Sequence, residues 1–353
     1  MFLKYCQTLK VPVLLSIVIA VLMFFSVPEV RAVDEQITDR YPSATPAPKQ
    51  RIKEAKEEIA YTPEKRTKIS GYIDVQGGYD NNAGLDPERY EDGFIQTTAN
   101  VDIAYEQTEN LKIRTGLDLF NSLYFNYNRN NLLDTSPYIG FDYKFAPNII
   151  SKTRFIFDYY WFPTEKEDTF YGPQVSTSLR HYFANSLFQE AGFEYLWRWW
   201  QKQKIILSDL SDGAKNRYDN RYRVQYTLGH YTDRYIVKLK NEFSQNFSNY
   251  EYQDYYEYWR WRIKPSVMYF FTKKFYTDLN LIYRYTNYRG RVATDNPGEK
   301  VYNNTYILNA TLYYDFTEDL TLGVTYSYSE NRSNDPYEKY SGSIVTSGVY
   351  YSF

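Results

Sequence analysis

From Lys68 to Phe353 the chain alternates apolar and polar residues with a period of two. In residues 221–231, Tyr222, Val224, Tyr226, Leu228 and His230 interleave with Arg221, Arg223, Gln225, Thr227 and Gly229. In residues 275–286, Phe275, Thr277, Leu279, Leu281, Tyr283 and Tyr285 interleave with Tyr276, Asp278, Asn280, Ile282, Arg284 and Thr286. Alternation over this length predicts strands with one apolar and one polar face. Fourteen segments carry it: 68–80, 94–106, 111–121, 137–145, 149–162, 173–184, 187–200, 218–231, 234–244, 254–271, 275–288, 301–316, 320–330 and 339–353. The gaps between them run long, short, long, short, with Asn, Asp, Gly and Pro in the long ones, as in DNNAGLDPERYEDG. Pro265 falls inside the tenth segment, where a missing N–H predicts a bulge or a strand end.

Short turns alternating with long loops along an antiparallel meander predict an all-β, transmembrane, up-and-down barrel of about fourteen strands, with twelve or sixteen also compatible. An even count puts both termini on the short-turn side, the periplasm. A lipid environment admits only helices or closed sheets, because backbone polar groups must pair internally. A soluble sandwich also alternates. Here, however, the apolar phase is loaded with interface-loving aromatics. Near the long loops stand Tyr159, Trp161, Trp197, Trp199, Trp259, Trp261 and Tyr285, and near the short turns Tyr105, Phe145, Phe183, Phe271, Phe275 and Phe316. No blade-length repeat favours a propeller.

The first 66 residues differ. Residues 1–32 have Lys4 and Lys10, an apolar run from Val11 to Phe25, and small residues at Val30 and Ala32, the layout of a secretory signal peptide. Residues 33–66 read as a flexible Pro-rich, charged periplasmic tail with a short helix over 50–60; as a sharper alternative they form a plug or a docking segment. The barrel then occupies 67–353. Composition agrees. Of 353 residues 20% are aromatic, which disfavours disorder, and a net charge of −2 gives no argument for nucleic acid. One Cys excludes a disulfide scaffold and a cysteine-based zinc site, and two His disfavour a histidine-rich metal site. No metal or cofactor is expected.

The polar phase faces inward in such a barrel. Segments eight to eleven bring Arg221, Arg223, Lys238, Lys240, Arg260, Arg262, Lys264 and Arg284 to it against Asp219, Glu242 and Asp278. Segments one and two bring Asp74, Asp102 and Glu106. A basic wall facing an acidic one makes a transverse field, and guanidinium groups grip carboxylates in bidentate fashion. Inward Tyr256, Tyr258, Tyr276 and Tyr313 offer faces to sugars. The plainer alternative is that these charges pair across strands and hydrate the lumen. Catalysis is not expected. His181 and His230 fall on the lipid-facing phase, and a hydrolase would need a Ser beside one of them. Glu190 and Glu194 read as lumen lining rather than a glycosidase pair.

The last segment, SGSIVTSGVYYSF, resembles the C-terminal strand of bacterial outer-membrane barrel proteins, with Val345, Val349, Tyr351 and Phe353 in phase. The resemblance implies a Gram-negative outer-membrane location and an assembly signal, Phe353 with Tyr351, read by the barrel-assembly machinery. Residues 78–105, GYDNNAGLDPERYEDGFIQTTANVDIAY, resemble the first hairpin of the β-barrel porins that accompany exopolysaccharide gene clusters. The expected function is a porin-like channel for passive passage or export of small solutes or acidic saccharides. Its expected partners are outer-membrane lipid, the assembly machinery and an anionic saccharide. A structural or assembly protein with partner-binding loops is the alternative, and an outer-membrane hydrolase a remote third.

Overall fold

The computed structural model describes residues 67–85, 87–183 and 186–353. The expected signal peptide, and the expected tail with its short helix, fall outside the described residues. Fourteen strands follow in order: β1 (Thr67–Asp80), β2 (Asp92–Glu106), β3 (Leu111–Tyr124), β4 (Leu132–Ala146), β5 (Ile149–Trp161), β6 (Phe170–Tyr182), β7 (Leu187–Ile206), β8 (Asp212–Tyr231), β9 (Tyr235–Ser248), β10 (Tyr258–Phe270), β11 (Phe275–Val292), β12 (Lys300–Asp315), β13 (Leu320–Ser333) and β14 (Tyr340–Ser352). Each pairs antiparallel with its sequence neighbours, and β14 returns to β1, so the sheet closes into a barrel.

Followed once around the circuit, the paired registers return to β1 displaced by about 18 residues. For fourteen strands that stagger tilts each by about 45°. A 14-residue strand such as β1 then rises about 33 Å, enough for an apolar band of about 25 Å. The outer phase is that band: Val75, Phe155, Leu281 and Val324 are 48%, 47%, 53% and 53% exposed. Leaving so many large apolar side chains in water forfeits about 1.5–3 kcal/mol each, so this face requires acyl chains or another apolar cover.

The turns explain themselves chemically. At four of the six short ones a threonine hydroxyl takes up the backbone N–H groups two and three residues on: Thr108, Thr232, Thr272 and Thr317, at 2.9–3.3 Å. These turns can be tight because the side chain supplies the acceptor the departing strand no longer offers. At the seam, Phe353 exchanges two backbone hydrogen bonds with Gly71 (3.0 and 3.1 Å). Its ring lies over the Gly71 Cα, where an added Cβ would come within 2.5 Å of the ring and 2.4 Å of the Asn100 carbonyl oxygen. Glycine is what lets the terminal ring lie flat on the outer wall.

Three expectations change. Pro265 causes no bulge: its pairing with Leu239 persists, two pairs are missing on the β11 side, and the register resumes unshifted from Ile263–Tyr283 to Ser266–Asn280. β10 begins at Tyr258 rather than 254, after a 3₁₀ turn at Tyr252–Asp254. β7 and β8 run on to 206 and back to 212, twenty residues each, as a two-stranded ribbon about 14 Å beyond the neighbouring strands. The stretch looked like loop because its apolar residues cluster at 205–207 instead of alternating with polar ones, although Ile205 is buried.

Candidate channel lumen

All eight predicted basic residues stand on the inward phase of β8 to β11, opposite in sense to the exposed Tyr222, Val224, Leu239 and Trp261. Glu242 is the hub of this wall. The Lys240 amine lies 2.8 Å from it, and Arg262 donates Nε to its other oxygen in a short contact. Arg223 reaches the other way, to Glu194 on β7 at 3.2 Å, with Arg221 at 3.9 Å from the same carboxylate. Across the registers Arg262 pairs with Arg284 and Lys264 with Lys240, placing like charges side by side. Arg260 donates Nε to the Thr286 hydroxyl at 3.1 Å and stacks on Tyr258 at 4.6 Å. Lys238 and Asp278 line a cavity toward the short-turn end, with Arg180, Phe188 and Met268 on its walls. Some charges therefore pair across strands, yet β8 to β11 hold eight inward cations from the sequence reading against three carboxylates, Asp219, Glu242 and Asp278.

The predicted acidic residues also face inward, but two of the three have cationic partners. Asp102 accepts from Arg114 Nη1 at 2.9 Å, Arg114 Nε binding Asp142 at 2.8 Å, and Glu106 lies 3.6 Å from Lys112. Asp74 accepts from the Gln76 amide at 2.9 Å. A second acidic patch sits on β4 and β5, where the Ser136 hydroxyl lies 3.0 Å from Asp134 and 2.9 Å from Asp158. Sequence reasoning missed Asp134 because it began the fourth strand at 137, after the Leu132–Ser136 stretch that pairs with β3. The remaining inward wall, β12 to β14, is nearly uncharged. It carries Thr305, Thr311, Thr325, Ser327, Asn331 and Thr346 in cross-strand contact, such as Thr305 to Asn331 (2.8 Å) and Thr311 to Thr325 (2.9 Å). The lumen thus has a basic, an acidic and a neutral sector.

Both histidines are on the outer face near the short turns. Ser186 Oγ lies 3.3 Å from His230 Nε2, and His181 Nδ1 lies 3.5 Å from the Gln189 amide. Among the described residues no carboxylate is hydrogen-bonded to either ring, so the Ser186–His230 pair has no group to orient it as a nucleophile–base unit. Aromatic neighbours surround them instead, Phe183 at 4.6 Å and Tyr235 at 5.5 Å.

No family model matches this chain, and no curated protein matches it. Solved structures do. OmpT of Vibrio cholerae is 10% identical over 81% of this chain and 97% of its own, with a TM-score of 0.49. A Pseudomonas aeruginosa FadL homologue is 8% identical, covering 81% and 90%, with a TM-score of 0.46. An anion-selective porin from Comamonas acidovorans is 9% identical, covering 81% and 99%, with a TM-score of 0.42. At these identities the lumen has to be interpreted from its own residues.

Proposed function

We propose that this chain is a bacterial outer-membrane channel for small hydrophilic solutes that prefers anions, acidic saccharides among them. The observation that carries this reading is the inward concentration of cations on β8 to β11 within a closed barrel whose outside is apolar. A pore lined by Arg and Lys lowers the barrier for anions and raises it for cations. Its termini then lie in the periplasm, with Phe353 and Tyr351 as the signal for the assembly machinery. The likeness of residues 78–105 to the porins of exopolysaccharide clusters fits a saccharide as solute. The test is the reversal potential of single channels in a planar bilayer under a salt gradient. The expected result is anion preference that falls when Arg260 and Arg262 are both changed to Gln. A conducting pore without that preference, or one unmoved by the double change, removes the selectivity. No conductance at all removes the channel and favours a structural protein whose extracellular loops bind a partner.

A further inference from the structure

The outer wall is not alike all round. At its long-loop level every strand from β5 to β13 turns at least one Tyr, Trp or Phe outward, from Trp161 through Trp199, Trp259 and Tyr302 to Tyr326. Such rings settle where acyl chains meet headgroups. The other five strands, β14 and β1 to β4, break the row. Their outward residues at that level include Val345, Gly77, Ile95, Asn121 and Thr135. Tyr79 is the one outward ring of these strands there, and its hydroxyl is tied to Glu91. The short-turn level is unbroken, with Tyr105, Phe141 and Tyr351 in the same sector.

Outward amides show the same division. On β8, β9 and β12, Asn220, Asn241 and Asn304 each accept a hydrogen bond from a girdle ring, Tyr195, Trp261 and Tyr283, at 2.7–2.8 Å. Asn121 on β3 has no such neighbour, and its side-chain oxygen is without a partner among the described residues. Two ladders away Gly77 leaves a hollow: a Cβ added there would meet nothing within 4 Å. Ser347 stands beside that hollow in register. Asn121 pairs with Thr97, and Thr97 with Val75, so at a tilt of about 45° Asn121 sits at about the height of Gly77.

We infer that this sector is the contact face of a homotrimer, with β1 of one copy against β3 of the next and β2 toward the threefold axis. The inference does not rest on the channel reading. Within a membrane, protein walls associate by close packing and by hydrogen bonds, which small residues and an unused amide allow. Five strands of fourteen cover about 130° of the circuit. A barrel in a trimer touches its two neighbours along lines about 60° apart. Acyl chains are excluded for roughly 30° to either side of each line, so a trimer needs about 120° of such wall and a dimer only about 60°. Two strips about 18 Å wide and 20 Å tall commit about 700 Å² per copy, close to the roughly 800 Å² per partner of stable complexes. The Asn121 amide of one copy then fills the Gly77 hollow of the next and reaches its Ser347 hydroxyl. Copies joined head to tail in this way close after three.

The test is cross-linking in isolated outer membranes with a short bis-maleimide, in a Cys6→Ser background so that the added thiols stand alone. Gly77→Cys combined with Asn121→Cys is expected to give covalent species of two and three copies and none larger. Either change by itself is expected to give only monomer. Val224→Cys combined with Leu281→Cys, below the unbroken row of rings, is expected to give none. A wedge toward the axis, Ala99→Trp on β2, should lower the mass measured by light scattering in mild detergent from three copies to one. Each barrel should keep its heat-dependent shift in gel mobility. A double variant that stays monomeric or stops at two copies overturns the face. So does cross-linking by a single variant, a series that runs beyond three, or a mass unmoved by Ala99→Trp.

Discussion

Pro265 interrupts β10 and yet leaves its register intact, and it is not alone. Pro137 and Pro173 behave the same way: pairing persists on one flank, with Leu117 and with Phe157, while two pairs drop out on the other. All three share the outward phase with the exposed Ile139, Leu179 and Tyr269. A proline there loses one ladder bond but need not move the neighbouring strand. Beside Pro173, Gly172 shows how close that neighbour comes, for an added Cβ would fall 1.7 Å from the Trp197 carbonyl oxygen. Pro265→Val should restore the missing bond and raise the folding free energy by about 0.5–1.5 kcal/mol, read as a higher urea midpoint; an unchanged or lower midpoint would show that the ring's own packing outweighs it. The rule that a proline marks a bulge therefore misled at this scale. By contrast, the inward placement of Arg221, Arg262 and Lys264 was legible, because a period of two assigns every residue of a strand once one is assigned.

At the level of elements, the strands were legible and their long-loop ends were not. Alternation of apolar with polar residues stops where the sheet leaves the apolar band, although the hydrogen-bonded ribbon continues. Residues 201–217 of β7 and β8 illustrate this. QKQKII and DGAKN show no alternation of apolar with polar residues, yet Lys204 pairs with Asn216 and Ile206 with Asp212. Arg217 was for that reason given no phase. The short turns were found by length alone; the repeated threonines were the overlooked signal for their geometry. Because the ribbon stands beyond the neighbouring strands, the barrel should not depend on it. Replacing residues 204–216 by Asn-Gly, a two-residue hairpin joining Gln203 to Arg217, should leave the heat-dependent shift in gel mobility intact and change the unfolding free energy, read from urea titration, by no more than about 0.5 kcal/mol. Loss of the folded band would mean that the ribbon helps the barrel to close.

In the molecule as a whole, closure rests on the one seam between strands distant in sequence, β14 to β1, with Phe353 on Gly71. Gly71→Leu should collide with both the Asn100 carbonyl and the terminal ring, so refolding into lipid vesicles should lose most of its yield. A normal yield would show that the ring can lie elsewhere. Strand number and the two faces were readable because both are periodic. The ties between loops were not, since they join residues as far apart as Asn82 and Ser341 and carry no period.

Ties from loop to loop, or from a loop to an adjoining strand, recur round the mouth. Asn82 donates to the Ser341 carbonyl, Asn130 to that of Ala83, and Arg129 meets Glu165. The Gln201 amide donates to the Thr169 carbonyl, Gln203 to Tyr256, Arg289 to Glu257, and Thr294 to Asp335 beside Ser341. A hoop of this kind spreads any local injury. A protease that severs the loop 81–91 leaves one cut end fastened through Asn82 and Ala83 and the other to Ser341 through Arg89, so the opening should keep its shape until a second, distant cut frees an arc between them.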